Sequence, residues 1–505
     1  MKIFSVEQIR NWDAYTIKNE PVKSVDLMER AATACFDWII RNFDDSYHFI
    51  IFSGKGNNGG DGLAIARLLK SIKYRVSVYI VQSGSASADF ETNLKKLEKT
   101  SVPVTFLNDA DSFPQMNETD VIIDALFGTG LNKPPKGLFA EVINFINDQN
   151  TNRISIDVPS GLYIDKSSIE PDHAIVKADF TLTFQNQKLA FLLPENEPFT
   201  GEVSLLDIGL SQEYEEQESC RLNFTDENII SGIYRPRKAF SNKGNFGYAS
   251  LLCGSYGMMG AAILSSLGCL RIGVGKLTVV TCEAGYPIIQ TAVPEAMCMT
   301  SGEKYISDFT EFEHFDAIGI GPGIGKHDSH KKLLKELFTS FKKPIVIDAD
   351  ALNVLSETQE LYSLIPAQSI ITPHPKEFER LFGKVENDFE RIDLALSKAK
   401  ELNIFIVLKG HFTFIATPDG NGFFNSTGNA GMATAGAGDV LTGIITGLVA
   451  QNYSPLDTCI LGVYLHGLAG DIAAESFSLE AMIAGDIIEN LGAAFKKVTS
   501  EILYV

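Results

Sequence analysis

Three short runs in the first two hundred residues mix glycines with groups able to bind a ligand or move a proton. Gly54-Lys-Gly-Asn-Asn-Gly-Gly-Asp-Gly62 sets Asn57, Asn58 and Asp61 among its glycines. Glycine lets a backbone approach a ligand closely and take positive φ, and the helix expected to open at about Leu63 would offer free N–H groups to a phosphate. A purely structural turn does not need three polar side chains in that position. Asp124, in Ile-Asp-Ala-Leu-Phe-Gly-Thr-Gly-Leu-Asn-Lys-Pro-Pro, and Asp157, in Ile-Asp-Val-Pro-Ser-Gly, each end an apolar run. An Asp at a strand end often just caps the following turn. Two of them beside an Asn-rich loop favour a convergent site that holds a cation or handles protons.

The most informative segment of the second half is Asn429-Ala-Gly-Met-Ala-Thr-Ala-Gly-Ala-Gly-Asp439-Val-Leu-Thr-Gly. Small residues leading into an apolar helix build an amide-lined cup suited to the charge that develops in phosphoryl transfer. Asp439 at its mouth is placed to take a proton from an attacking hydroxyl. A helix start capped by Asp is the plain alternative, but capping alone does not call for such a long run of small and polar residues. His374, in Thr-Pro-His-Pro, fits either a ligand contact or a structural turn. Gly321-Pro-Gly-Ile-Gly325 alone is a weak dinucleotide fingerprint, with no acidic residue after a second strand at the proper distance. Asp348 and Asp350 are assigned no chemistry, and Lys188 reads as a surface lysine before it reads as a charged partner.

These residues need elements to hold them. Ser5 with Gln8 makes a capping box for a helix to about Lys18, and Ser24 is expected to cap a second helix through Met28 and Trp38. β-like runs at His48–Phe52, Arg75–Val81, Val121–Ala125, Arg153–Val158 and Phe180–Phe184, with helical segments between them, predict a Rossmann-like three-layer α/β/α sandwich. The acidic stretch Ser211–Ser219 reads as a linker. Beyond it Tyr248–Cys253, Leu277–Thr281, Ala317–Gly321, Pro344–Asp348, Ser369–Thr372 and Phe405–Lys409 predict a second α/β domain. Most of these runs end in Gly, Asp, His or Lys, at the strand ends where open α/β sheets bind ligands.

The whole chain has 505 residues, enough for two large domains or three ordinary ones with cores that need no disulfides. Hydrophobic residues make up 45% and charged ones 21%, as in an ordinary globular protein. Lys plus Arg number 43 against 63 Asp plus Glu, a net charge of −20 that opposes nucleic acid and anionic membranes as partners. An anionic small ligand would then need local help from backbone amides. The longest apolar stretches are interrupted or too short to span a bilayer, and the amino terminus lacks an apolar signal core, so a cytoplasmic protein is expected. The seven cysteines, without a Cys-x-x-Cys pair, read as buried thiols and not as a disulfide frame or zinc site.

In combination, the Gly-x-Gly-Asn-Asn-Gly-Gly-Asp-Gly, Asp-Ala-Leu-Phe-Gly-Thr-Gly and Asp-Val-Pro-Ser-Gly motifs resemble the epimerase domain of the bifunctional NAD(P)H-hydrate repair enzymes, over residues 1–212. The Asn429–Asp439 segment, preceded in order by Ser255-Tyr-Gly-Met-Met-Gly, Gly319-Ile-Gly-Pro-Gly-Ile-Gly325, Asp348-Ala-Asp-Ala-Leu-Asn353, Thr372-Pro-His-Pro-Lys-Glu-Phe378 and Leu408-Lys-Gly-His-Phe-Thr413, is similar to their ribokinase-like dehydratase domain, over residues 221–505. The resemblance implies epimerisation of R and S forms of NADHX and NADPHX by the first domain. It implies ADP- or ATP-dependent dehydration of the S form to NAD(P)H by the second, giving phosphate with AMP or ADP.

The same resemblance implies the sites. Asn57, Asn58, Gly59, Gly60 and Asp61, with Gly128, Thr129, Gly130, Leu131, Asn132, Lys133 and Pro134, would line the hydrated dinucleotide; Asp157 would contact it, as the acid/base candidate. Asn58, Asp124 and Ser160 would bind K+. In the second domain Ala261, Gly323 and His374 would contact the hydrate, and Lys409, Gly410, His411, Phe412, Thr413 and Gly438 would hold the adenine nucleotide. Asp439 would touch the reacting hydroxyl, with Mg2+ neutralising phosphate charge. A homo-oligomer is expected. The family's last motif reads closer to Asn-Pro-Gly-Met-Ala-Thr-Gly-Gly-Thr-Gly-Asp, whereas this chain has Ala430, Ala435 and Ala437; the backbone N–H groups survive and a threonine hydroxyl is lost. Two other readings stay open: a small-alcohol kinase fused to a Rossmann-like domain, which would release a stable phosphorylated product, and a non-catalytic dinucleotide-binding scaffold.

Overall fold

Apolar runs such as Phe49-Ile-Ile-Phe52 have no polar face to offer water, and they lie at the centre of parallel sheets covered by helices. The structure is a computed structural model that describes the backbone of residues 1–503 and the side chains of residues 1–500. The chain divides into two compact units: residues 2–220 with 387–389, and residues 221–386 and 390–505 with Met1.

In the first unit β1 (His48–Ser53), β2 (Arg75–Val81), β3 (Val104–Leu107), β4 (Asp120–Ala125), β5 (Asn152–Ile156), β6 (Phe180–Phe184) and β7 (Glu202–Leu206) form one sheet. Their order is β3-β2-β1-β4-β5-β6-β7 and every pair is parallel. Chain direction across the sheet reverses between β1 and β4, so a crevice opens outside their carboxyl ends, where Gly54 and Asp124 lie.

The second unit has β8 (Leu222–Phe224), β9 (Tyr248–Leu252), β10 (Lys276–Thr281), β11 (Met297–Thr300), β12 (Ala317–Ile320), β13 (Ile345–Ile347), β14 (Ile370–Ile371), β15 (Phe405–Leu408), β16 (Phe414–Ala416) and β17 (Gly422–Phe424). They are ordered β11-β10-β9-β12-β13-β14-β15-β16-β17-β8, with antiparallel pairing only at β15–β16 and β16–β17. Here the reversal falls between β9 and β12, beside Ser255 and Gly321–Gly325.

The first helix, Val6–Asn19, carries the expected capping box between Ser5 and Gln8. Ser24 is not a cap: it is the first residue of the Ser24–Asn42 helix, and its hydroxyl donates to Asp89. The acidic stretch after residue 211 includes a short helix, Gln212–Gln217, that buries Tyr214 against Trp12 with ring centroids 6.2 Å apart. None of the seven cysteines forms a disulfide, and five of them are buried. Among the described residues no helix is long and apolar enough to cross a membrane.

Candidate active sites

The helix after β1 begins at Asn57, not near Leu63, so the Asn-rich run is the helix's first turn, with Gly56 as its cap. None of the glycines from Gly54 to Gly62 has positive φ. They provide space instead: a Cβ on Gly59 would lie 1.9 Å from the Gly54 carbonyl oxygen, and one on Gly62 would lie 2.6 Å from Ala125 Cβ. This close approach seats the helix start on β1 and β4. Asn58 and Asp61 are thereby buried while still facing a cleft of about 920 Å3. Asn57, the Gly128–Pro134 turn and Asp157 line the same cleft. Gly59 and Gly60 lie behind its wall, against Gly54 and Met28.

Asp124 is fully buried, and its carboxylate accepts from Ser155 Oγ (2.8 Å), Ser160 N (2.8 Å), Ser160 Oγ (2.5 Å) and Leu126 N (3.3 Å). Burial raises its pKa against those hydrogen bonds. Ser160 Oγ also accepts from Phe127 N at 2.9 Å. The Asn58 amide donates to Ile156 O at 2.7 Å, which leaves its buried Oδ1 with no hydrogen-bond partner. The Asp124 carboxylate and the unsatisfied Asn58 Oδ1 are hard oxygen donors of the kind that suit a monovalent cation.

Asp157 follows β5 with φ +65°, a left-handed conformation that a non-glycine residue adopts at a cost of about 1–2 kcal/mol. Its carboxylate accepts from Thr129 N at 3.1 Å and lies 3.8 Å from Lys188 Nζ. Lys188 is therefore no surface lysine. It is 1% exposed, and its ammonium donates to Phe184 O (2.7 Å), Asn186 O (3.0 Å) and Asn186 Oδ1 (3.4 Å). Burial lowers its pKa, opposed by the charges of Asp157 and Asp13. Asp13, which sequence patterning did not single out, also lines the cleft, and its pKa is pushed up to about 6 by burial and by Asp157, with Lys188 opposing. Burial, Asp157 and Asp13 push Asp61 well above the usual carboxylate range.

In the second unit the Ala437–Ala450 helix starts behind Gly436, whose φ of +93° puts it in the region that favours glycine. Asp439 lies in the helix's first turn, its pKa raised to about 6 by burial and by Asp348, with Lys409 opposing. Asp348 does more than organise a turn. It is 1% exposed and takes Lys409 Nζ at 2.8 Å on one oxygen and Thr442 Oγ1 at 2.6 Å on the other. It thus ties the ends of β13 and β15 to the helix that carries Asp439. A Cβ on Gly438 would lie 3.5 Å from Lys409 Nζ, which places the ammonium beside the amide cup.

His374 caps the Pro375–Phe382 helix: its Nδ1 accepts from Lys376 N (3.1 Å) and Glu377 N (3.3 Å). That structural role leaves Nε2 free of backbone bonds, 3.5 Å from Glu377 Oε1. Burial and the nearby Lys409 charge lower its pKa. Thr413 closes the 409–413 turn by bonding Gly410 N and O at 3.3 and 3.0 Å, and the His411 ring packs on Phe412 within it, centroids 4.4 Å apart. Ala261 and Gly323 meet at the β9–β12 crevice: a Cβ on Gly323 would come 2.9 Å from Ala261 Cβ. Asp350 accepts from Gly325 N at 2.8 Å.

Comparison with known proteins adds to this geometry. A family model described as YjeF-related protein N-terminus matches residues 24–190, and one described as NAD(P)H-hydrate dehydratase matches residues 249–492. The bifunctional NAD(P)H-hydrate repair enzyme Nnr of Moorella thermoacetica is 32% identical over 99% of this chain and 98% of its own length. The enzyme of the same name from Escherichia coli is 33% identical over 92% of this chain and 88% of its own. Among solved structures, the ADP/ATP-dependent NAD(P)H-hydrate dehydratase of Bacillus subtilis, co-crystallised with ATP and Mg2+, is 33% identical. It covers 55% of this chain and 100% of its own, with a TM-score of 0.50.

Proposed function

This chain belongs to the family of bifunctional NAD(P)H-hydrate repair enzymes, and on that premise we propose that residues 1–212 interconvert the R and S forms of NADHX and NADPHX, and that residues 221–505 dehydrate the S form with ADP or ATP. The observation that carries the second half is Asp439, a carboxylate with a pKa of about 6 at a helix amino terminus beside the Lys409 ammonium. Its charged form predominates at neutral pH and can accept the proton of the C6 hydroxyl as that oxygen attacks the terminal phosphoryl group. Lys409 and the helix amides face the charge that develops, and AMP or ADP leaves. Phosphate then departs from C6 with the C–O electron pair, C5 loses a proton, and the ring double bond returns. Hydroxide is a poor leaving group and phosphate a good one, so a kinase-like site suits a dehydration.

Ala261, Gly323 and His374 would contact the hydrate, and the 409–413 turn with Gly438 would hold the adenine nucleotide. Mg2+ would enter on the nucleotide's phosphates: among the described residues no cluster of three His, Cys, Asp or Glu side chains offers it a resident site. In the first unit Asn57, Asn58, Asp61 and Gly128–Pro134 would bind the hydrate, with Asp157 at its reactive ring; Gly59 and Gly60 would serve by packing behind the wall. Asn58, Asp124 and Ser160 would hold K+, whose charge would neutralise Asp124 and brace the Phe127–Gly128 turn.

Asp439→Asn tests the dehydratase assignment. The expected loss of nucleotide-dependent NADH formation is about 100-fold or more, with ligand affinity by calorimetry within about threefold of wild type. An unchanged rate rejects the role.

A further inference from the structure

Loss of the C6 hydroxyl from one face of the ring and addition of water to the other interconverts the R and S forms. That takes two proton transfers, one to the departing oxygen and one from the arriving water. We propose that Asp13, on the Val6–Asn19 helix, is the second proton-transfer group of this reaction, working with Asp157 and its counter-charge Lys188. The proposal rests on the epimerase reading above.

Three observations support it. Asp13 lines the same cleft as Asp157 and Lys188, from a different element. Its carboxylate accepts no hydrogen bond from any described residue, whereas the structural carboxylate Asp124 accepts four. The helix around it is anchored: Trp12 Nε1 donates to Ser211 O at 2.8 Å and Thr16 Oγ1 accepts from Ser211 N at 3.0 Å. A mid-helix Asp costs about 0.5 kcal/mol against Ala, and no hydrogen bond to its carboxylate from the described residues repays it. A group on an anchored helix, facing a cleft and left without a hydrogen-bond partner is placed for a ligand. The other charged side chains on this cleft are Arg10 on the same helix, Lys55 and Asp61 around the start of the Asn57–Ser71 helix, and Lys133 and Lys136 after β4.

The step balances without a redox partner. Asp13, protonated, gives its proton to the C6 hydroxyl; the C6–O bond breaks, water leaves with the electron pair, and the ring nitrogen shares the positive charge. Water then adds to the opposite face and Asp157 takes its proton. The reverse reaction exchanges the roles, and a proton passes between the two carboxyls through water to reset the site.

The test follows conversion of purified S-NADHX to the R form by the full chain, without nucleotide, from pH 5 to 8 after subtracting the spontaneous rate. Wild-type kcat/KM should fall as pH rises past about 6, where Asp13 ionises. Asp13→Asn should lower kcat at least about 100-fold, keep KM within about threefold, and abolish that fall. Asp13→Glu, which keeps the carboxyl group, should recover part of kcat and the pH dependence. Unchanged dehydration of S-NADHX by each variant reports an intact chain. A wild-type rate and pH profile in Asp13→Asn would overturn the proposal, as would a raised KM with kcat untouched. A wild-type chain that does not epimerise at all would instead sink the epimerase reading itself.

Discussion

A buried carboxylate changes both stability and chemistry, and at Asp439 the two can be measured separately. Its folded pKa of about 6 lies above the ordinary Asp value of 3.8. The native state therefore penalises the charged form: the penalty is absent below about pH 4 and complete above about pH 6. Asp439→Asn should stabilise the second unit by about 1–3 kcal/mol at pH 8, a gain that shrinks toward zero as pH approaches about 4. Urea melts at several pH values check this, and a gain independent of pH would contradict it. Wild-type dehydration should meanwhile rise with pH through about 6 and then level. Asp124 makes a different prediction. If K+ sits among Asn58, Asp124 and Ser160, raising K+ to about 100 mM at constant ionic strength should raise the thermal midpoint of the wild type and leave that of Asp124→Asn unmoved. Equal shifts in both would place the ion elsewhere.

At the scale of elements, the glycines after β1 act through packing. Gly59→Ala should cost about 2–4 kcal/mol, because its Cβ would overlap the Gly54 carbonyl and push the helix off β1. Gly492→Ala, in the Ala484–Leu503 helix with no atom within 4 Å of the added Cβ, should instead stabilise by about 0.5–1 kcal/mol. Denaturant midpoints of the two variants check both signs. Central strands were legible in the sequence because both of their faces are apolar. β3 was not, since Thr105 and Phe106 are exposed on the sheet edge, and β8, β16 and β17 have only three residues each. The site motifs were legible for a related reason: a glycine run with polar residues at a strand end has few other uses. Lys188 was misread although a signal was present, since the apolar run Leu189–Leu193 after it indicates a buried segment. Asp13 carried no such signal. An Asp in an amphipathic helix reads as its solvated face, and only the folded chain sets it on the cleft with Asp157. Asp348 likewise resembled a turn residue until Lys409 and Thr442, distant in sequence, closed on it.

For the whole molecule, a net charge of −20 sits uneasily with anionic dinucleotide and nucleotide substrates. Each unit has a local answer: Lys188 and the helix start at Asn57 line one cleft, and Lys409 lies beside the start of the Ala437–Ala450 helix. Each unit thus sets its candidate residues at the carboxyl ends of its parallel strands, and the two proposed reactions draw on one substrate pool. The most direct test mixes the purified chain with both epimers of NADHX, Mg2+, K+ and either ADP or ATP, and follows absorbance at the reduced-nicotinamide band. Repair by both units predicts nucleotide-dependent recovery of NADH from the whole R plus S pool, faster than spontaneous epimerisation allows. Recovery that stops at the S fraction would contradict the epimerase half, and no recovery with either nucleotide would contradict the account as a whole.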